Sequence, residues 1–148
     1  MSRAFVKEQD NAAPPPERMV QDGPNPVTRE GFAHIESEVA RLEAALKTET
    51  NPLLRETLER DLRYWQISKS RAEIAAAPVG DAVAFGHRVV LRRGGREQSF
   101  RIVGEDEADP PNGLLSWRAP LAQAVMGAEA GDIVESRLGE IEILAVEA

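Results

Sequence analysis

A seven-residue pattern of apolar side chains constrains this chain more than any other feature of its sequence. Phe32, Ile35, Val39, Leu42 and Leu46 follow one another at alternating spacings of three and four residues. Apolar residues at this spacing form one stripe along an α-helix, and such a stripe packs against a second helix. The pattern therefore predicts an amphipathic helix that needs a partner helix.

The partner helix is predicted directly downstream. Asn51 and Pro52 are typical of an N-cap and a first helical residue. A second apolar stripe follows, made of Leu58, Leu62, Trp65 and Ala72. The second helix is predicted to run to about Ala77, and the few polar residues between the helices require an antiparallel hairpin. Self-association through the same stripe is an alternative use of these helices.

The segment before the hairpin has a different composition. Prolines 14–16 and residues 23–26, Gly-Pro-Asn-Pro, interrupt both helix and strand, and no apolar period is present. Residues 1–26 are therefore predicted to form a disordered, proline-rich tail. The alternative is that residues 5–6, Phe-Val, or residues 19–20, Met-Val, dock elsewhere as a short clip.

The pattern changes again at residue 79. Short alternating segments predict strands over residues 82–85, 87–92, 96–103, 114–117, 133–135 and 138–146, and residues 120–126 are predicted to form a short helix. Residues 94–95, Gly-Gly, are typical of a hairpin turn. The predicted organisation is an α+β fold, with a tail over residues 1–26, a coiled-coil hairpin over 27–78 and an antiparallel sheet domain over 79–148.

Composition excludes several classes of protein. The net charge of −7 argues against direct binding of nucleic acid, and the absence of cysteine excludes disulfides and thiolate metal sites. No apolar run approaches the length of a membrane span or a signal peptide, so a soluble, cytoplasmic protein is expected.

Catalytic motifs are also lacking. The sequence has no phosphate-binding glycine loop, metal-binding histidine pair or Ser-His-Asp set, and His34 and His87 are interpreted as ordinary histidines. We expect no enzyme activity, cofactor or metal. The acidic residues 105–109 favour contact with a basic partner surface, although a solvated loop is almost as well supported and a divalent cation is a further alternative.

Three segments resemble the GreA/GreB family of bacterial transcription elongation factors. They are residues 26–32, Pro-Val-Thr-Arg-Glu-Gly-Phe; residues 100–109, Phe-Arg-Ile-Val-Gly-Glu-Asp-Glu-Ala-Asp; and residues 119–127, Ala-Pro-Leu-Ala-Gln-Ala-Val-Met-Gly, followed by Gly131 and Asp132. The resemblance covers about residues 27–148. It implies an FKBP-like C-terminal domain that holds the rim of bacterial RNA polymerase, and a hairpin that enters the polymerase secondary channel.

The resemblance also suggests site residues. At the polymerase rim it implies Ser116, Arg118 and Pro120, together with Asp106 and Glu107. In the family pattern an acid stands where this chain has Arg118, so the charge of that contact is reversed.

The predicted hairpin tip consists of Glu49, Thr50 and Asn51. In the family's cleavage factors, paired acids at the tip help to hold a second Mg²⁺, which activates water to cut backtracked RNA. This chain lacks such a pair. Its hairpin is also roughly twenty residues shorter than the family's; these residues are shared between two arms, so the hairpin reaches ~15 Å less far at 1.5 Å per residue. The short hairpin resembles that of Rnk-type nucleoside diphosphate kinase regulators.

Three functional hypotheses follow. The first is a polymerase-binding regulator without cleavage stimulation. The second is an active cleavage factor that uses Glu49 beside Glu56 or Glu59. The third is an FKBP-like binding module or prolyl isomerase, for which only Phe85, Phe100 and Trp117 could line a pocket. Neither the effect on elongation nor the oligomeric state follows from the sequence.

Overall fold

The computed structural model describes Ala13 and residues 15–148, which pack as two compact units. The hairpin unit contains residues 36–70 and the described residues up to 22, and the sheet unit contains residues 23–35 and 71–148. The segments predicted from the sequence, 1–26, 27–78 and 79–148, are divided where the sequence pattern changes. The two units are instead divided by which residues pack together, so their boundaries differ. Predictions for residues 1–12 and 14, including the disordered tail there and the Phe-Val clip, lie outside the described residues.

Two helices of 20 residues each form where the apolar stripes predict them. Helix α1 spans Arg29–Thr48 and helix α2 spans Pro52–Arg71. The Thr28 hydroxyl accepts a hydrogen bond from the Gly31 amide at 3.0 Å, so Thr28 is the N-cap of α1. The stripe residues Ile35, Val39 and Leu42 are buried. The predicted helical hairpin is therefore confirmed.

The second helix is shorter than the sequence predicts. It ends at Arg71 rather than near Ala77, and strand β2, Ala72–Ile74, follows without a break. This strand pairs in parallel with β1, Asn25–Val27, and Ala75 then donates to the Val27 carbonyl at 2.9 Å. The chain leaves the helix because these backbone groups bond to β1 instead. For the same reason, residues 25–26 do not belong to a disordered tail.

The remaining strands form one five-stranded sheet of order β5-β4-β3-β7-β6. Their bounds are Arg88–Arg93 for β3, Arg96–Val103 for β4, Leu114–Ser116 for β5, Ile133–Ser136 for β6 and Gly139–Glu147 for β7. The β4–β5 pair is parallel and the other pairs are antiparallel. Gly94 and Gly95, both at positive φ, make the β3–β4 turn. The predicted antiparallel sheet is confirmed, with the parallel β4–β5 pair as its one departure.

One short helix packs on this sheet. Helix α3 spans Pro120–Val125 and buries Ala122 and Val125. The core around them is aliphatic and includes Val89, Leu91, Ile102, Ile141 and Ile143. Alternation along the strands places these side chains on one face of the sheet, which is the face that α3 covers.

Residues 82–85, predicted as a strand, form a loop. Val83 is buried, but its backbone makes only one pair of hydrogen bonds, with Ala128 at 2.8 Å and Gly127 at 2.9 Å. The apolar alternation there reflects packing on the core rather than a strand ladder. His87 is buried beside this loop, and its Nδ1 accepts from the Ala84 amide at 3.0 Å.

Within the described part of the chain, no helix combines the length and the apolar character needed to cross a membrane.

Candidate functional sites

The start of α1 is fixed by a carboxylate from the acidic segment of the sheet unit. Glu107 Oε2 accepts from the backbone amides of Thr28 and Gly104, both at 3.1 Å, and its second oxygen accepts from the Thr28 hydroxyl. A carboxylate at a helix N-terminus also interacts favourably with the helix dipole. Glu107 is therefore engaged inside the sheet unit, although the sequence suggests a role at a partner surface.

Two glycines leave the space that this carboxylate occupies. A Cβ at Gly31 would lie 2.2 Å from Glu107 Cδ, and a Cβ at Gly104 would lie 2.7 Å from the Pro26 carbonyl oxygen. Contacts this short do not occur between real atoms, so neither position accepts a larger residue without movement. Two of the segments that carry the family resemblance therefore meet at one junction, which consists of Thr28, Gly31, Gly104 and Glu107 and is called the α1 junction below.

The predicted rim residues lie between β5 and α3. Ser116 is the last residue of β5, and its hydroxyl accepts from the Arg118 amide at 3.2 Å. Pro120 is exposed at the first position of α3. An amide at this position has no partner within the helix, so proline, which lacks the amide hydrogen, costs no hydrogen bond there. The structure thus brings Ser116, Arg118 and Pro120 together in one turn.

Arg118 is held inside this turn rather than pointing away from it. Its Nε lies 2.9 Å from Glu105 Oε1, and its guanidinium carbon lies 4.7 Å from the centre of the Trp117 ring. A second guanidinium nitrogen lies 3.5 Å from the Pro24 carbonyl oxygen. The charge of Arg118 is therefore balanced by an acid of the segment 105–109. Trp117 itself is partly buried and packs against the core of the sheet unit.

The rest of the acidic segment is organised by short-range contacts. Residues 105–107 and 110–112 form two 3₁₀ turns, and the Asp109 carboxylate accepts from the Asn112 side chain at 2.6 Å. Asp106 is partly exposed and has interactions of its own. In the described residues no group of three or more His, Asp or Glu side chains could hold a metal ion. This arrangement gives no support to the divalent-cation alternative.

The hairpin tip is closed by an arginine that the sequence did not indicate. Arg55 Nη1 donates to the carbonyls of Leu46 at 2.7 Å and Glu49 at 2.8 Å. These are carbonyl groups at the end of α1 that lack helical partners. The sequence signal for this capping role is a basic residue in the first turn after the predicted tip. Basic residues are common at such positions, so this signal does not single out Arg55.

The three predicted tip residues shape the connection between the helices. The Asn51 side chain accepts from the amides of Leu53 at 3.0 Å and Leu54 at 3.3 Å, so it caps α2 as predicted. Glu49 is partly buried, and its Oε1 accepts from the Asn51 amide at 3.0 Å. Thr50 is exposed. The carboxylate of Glu49 is thus engaged by its own loop.

A groove of about 600 Å³ lies in the sheet unit, between the start of α1 and the sheet. Residues 75–78, Phe85 and Arg101 are among the residues that line it. Of the three aromatic residues that could line an isomerase pocket, Phe85 lines this groove, whereas Phe100 is buried in the core and Trp117 packs against that core. This groove therefore does not gather the three aromatic side chains.

Known proteins resemble this chain both in part and over most of its length. The family model described as "Transcription elongation factor, GreA/GreB, C-term" matches residues 77–148. The transcription elongation factor GreB of Neisseria meningitidis is 49 % identical over 73 residues, which are 45 % of this chain and 44 % of that protein. The transcription elongation factor GreA of Mesorhizobium japonicum is 31 % identical over 135 residues, covering 74 % of this chain and 86 % of that protein.

Among solved structures, the GreA factor homolog 1 of Thermus thermophilus is 18 % identical and aligns with 85 % of this chain at a TM-score of 0.40. Family membership rests on the sequence relatives, above all the one from Mesorhizobium japonicum, which this chain matches over most of its length. The turn before α3, together with Gly104 and Glu107 of the α1 junction, lies within residues 77–148, which the family model matches. The chain belongs to the GreA/GreB family of transcription elongation factors.

Proposed function

We propose that this protein binds bacterial RNA polymerase and regulates transcription elongation without stimulating transcript cleavage. In this proposal the sheet unit holds the polymerase rim and the hairpin enters the secondary channel. Membership of a family whose members are named transcription elongation factors supports the general role. The protein then acts as a factor on another enzyme and has no catalytic residue of its own.

The proposed lack of cleavage stimulation is argued from the acidic side chains at the hairpin tip. Glu49 is the single acid between Thr48 and Arg55, and its carboxylate accepts from the backbone of its own loop. A hard divalent cation needs several oxygen ligands, and a two-metal mechanism needs them fixed at close range. Of the acids in the alternative hypothesis, Glu59 lies 3.7 Å from Arg55 and is already paired. A single carboxylate that already accepts a hydrogen bond supplies too few oxygen ligands to hold a second metal ion.

The turn before α3 supports the docking part of the proposal. Ser116 and Pro120 match the family pattern, and Arg118 occupies the place of an acid. Since Glu105 balances Arg118, the turn presents an ion pair rather than an unpaired cation. An ion pair repels a basic partner surface less than an isolated arginine would.

Polymerase binding tests the docking surface. In Pro120→Glu the first residue of α3 becomes an acid, which a helix start tolerates, so the surface changes while the helix is retained. We expect the dissociation constant for core polymerase to rise about tenfold, equivalent to about 1.4 kcal/mol. Pro110→Glu is the matched control, because Pro110 is also exposed at the start of a short helical turn. Equal binding by both variants would exclude this turn as the docking surface.

Transcript cleavage is tested separately with arrested elongation complexes. We expect the protein to produce no shortening of the transcript beyond that of polymerase alone. Shortening that disappears in Glu49→Ala would instead establish the cleavage-factor hypothesis. Shortening that persists in Glu49→Ala would show that cleavage stimulation does not depend on this tip acid.

A further inference from the structure

A segment that precedes the sheet unit in the sequence lies on the second hairpin helix. Glu17 and Arg63 form a two-point ion pair: Arg63 Nε donates to Glu17 Oε2 at 3.1 Å, and Arg63 Nη2 donates to the other carboxylate oxygen. The two residues are 46 positions apart in sequence. A paired geometry of this kind fixes orientation as well as proximity.

The next residue makes a different kind of contact. The guanidinium carbon of Arg18 lies 3.9 Å from the centre of the Tyr64 ring and 5.9 Å from the centre of the Trp65 ring. The two rings meet edge to face, with their centres 5.4 Å apart. Arg18 also lies 3.5 Å from Asp61, whose carboxylate accepts from Arg60 as well. Arg18 therefore covers an aromatic pair and joins a local charge network.

These contacts are electrostatic and remain open to solvent. Glu17 and Arg63 keep 62 % and 50 % of their side-chain surface exposed, and Met19 is 87 % exposed rather than inserted as an apolar anchor. Arg63 holds the pKa of Glu17 below its ordinary value. Ion pairs this exposed are screened by salt, so the segment can leave the helix without disturbing a buried core.

We propose that residues 15–22 are a releasable autoinhibitory strap, which covers the Tyr64–Trp65 face of α2 until the hairpin meets its partner. The inhibitory role rests on the proposed function, whereas the docking of the strap on α2 does not. A segment docked on the outside of α2 adds its own thickness to the width of the hairpin. A hairpin that must enter a channel is therefore hindered while the strap is docked.

Fluorescence of Trp65 tests the docking of the strap. In a Trp117→Phe background Trp65 is the only tryptophan of the chain, so acrylamide quenching measures its exposure. Glu17→Arg places a cation against Arg63, and we expect the quenching constant to rise about twofold, as it should in 1 M NaCl. Combining Glu17→Arg with Arg63→Glu should restore the original value. Glu43→Arg, a reversal of an exposed acid on α1, is the matched control and should change nothing.

Polymerase binding of the same variants, with Trp117 retained, tests autoinhibition. If the strap is docked in about three-quarters of the molecules, its release lowers the apparent dissociation constant about fourfold, because affinity scales with the competent fraction. Far-UV circular dichroism verifies that the helices remain folded in each variant.

Each outcome decides one part. Quenching that is the same in Glu17→Arg as in the parent overturns the strap. Increased quenching with unchanged polymerase affinity overturns autoinhibition. If no variant binds polymerase, including the unmodified chain, the proposed function fails and with it the inhibitory role, while the quenching result still decides whether the strap docks.

Discussion

Substitution of Gly31 tests the α1 junction most directly, because its sign depends on one contact. Within a helix, alanine is ordinarily more favourable than glycine by about 1 kcal/mol. Here the added methyl would lie 2.2 Å from Glu107 Cδ and 2.3 Å from Oε2. The end of a flexible side chain can move away, but this movement breaks the bonds from the carboxylate to Thr28 and Gly104.

The expected magnitude follows from these bonds. A hydrogen bond to a charged group contributes about 1.5–3 kcal/mol, and water replaces part of this at a half-buried site. Losing the carboxylate contacts should therefore cost about 3 kcal/mol, and the helix gains about 1 kcal/mol from alanine. Gly31→Ala should then lower the free energy of unfolding by about 2 kcal/mol and the melting temperature by about 4–8 °C.

Thermal and urea unfolding followed by circular dichroism provide the assay, and a double-mutant cycle isolates the contact. In a Glu107→Ala background the clash is absent, so Gly31→Ala should become stabilising by about 1 kcal/mol, the helix-propensity value. This reversal of sign is the central expectation. If Gly31→Ala stabilises the chain that retains Glu107, the carboxylate does not hold the start of α1 and the reasoning is refuted.

Three further predictions concern other contacts. Arg55→Met leaves the last carbonyls of the first helix uncapped and should reduce stability by about 1–2 kcal/mol, measured by urea unfolding, whereas an unchanged midpoint would contradict the capping role. Because Arg63 lowers the pKa of Glu17, strap docking should be at its highest level above the ordinary value of about 4.5 and should be lost as the pH falls through the lowered pKa. Trp65 fluorescence in the Trp117→Phe background should report this acid transition, and Glu17→Gln should lack it. Trp117→Phe removes a buried Nε1 that has no hydrogen-bond partner among the described residues, so no hydrogen bond is lost and the melting temperature should stay within about 3 °C of the parent; a larger drop, measured by circular dichroism, would contradict this expectation.

Local signals in the sequence were sufficient for the helical hairpin. Thr28 and Asn51 start their helices because a side-chain oxygen reaches amides two or three residues away, and this depends on neighbouring residues alone. The stripe on α1 likewise predicts its own burial. The two glycines at residues 94–95 predict the β3–β4 turn for the same local reason.

Long-range pairing was not predictable in the same way. Asn25–Val27 contains a proline and Ala72–Ile74 continues a helical composition, so neither segment looks like a strand until the other lies beside it. The role of Glu107 has the same origin, because its partner Thr28 is 79 positions away. The acidic run 105–109, considered alone, suggests a partner-binding surface. Because Thr28 donates to Glu107 from far away in the sequence, this member of the run instead stabilises the start of a helix.

The β1–β2 pair has a consequence for how this family can vary. It joins the residues immediately before α1 to those immediately after α2, so the two ends of the hairpin are fixed to one another by backbone bonds. The intervening chain is then an exchangeable insert: removing or adding whole helical turns at the tip leaves the closing pair untouched. The entropy of closing such an insert changes slowly, by only about 0.6 kcal/mol for each doubling of its length. Hairpins of different lengths can therefore be built on one unchanged base.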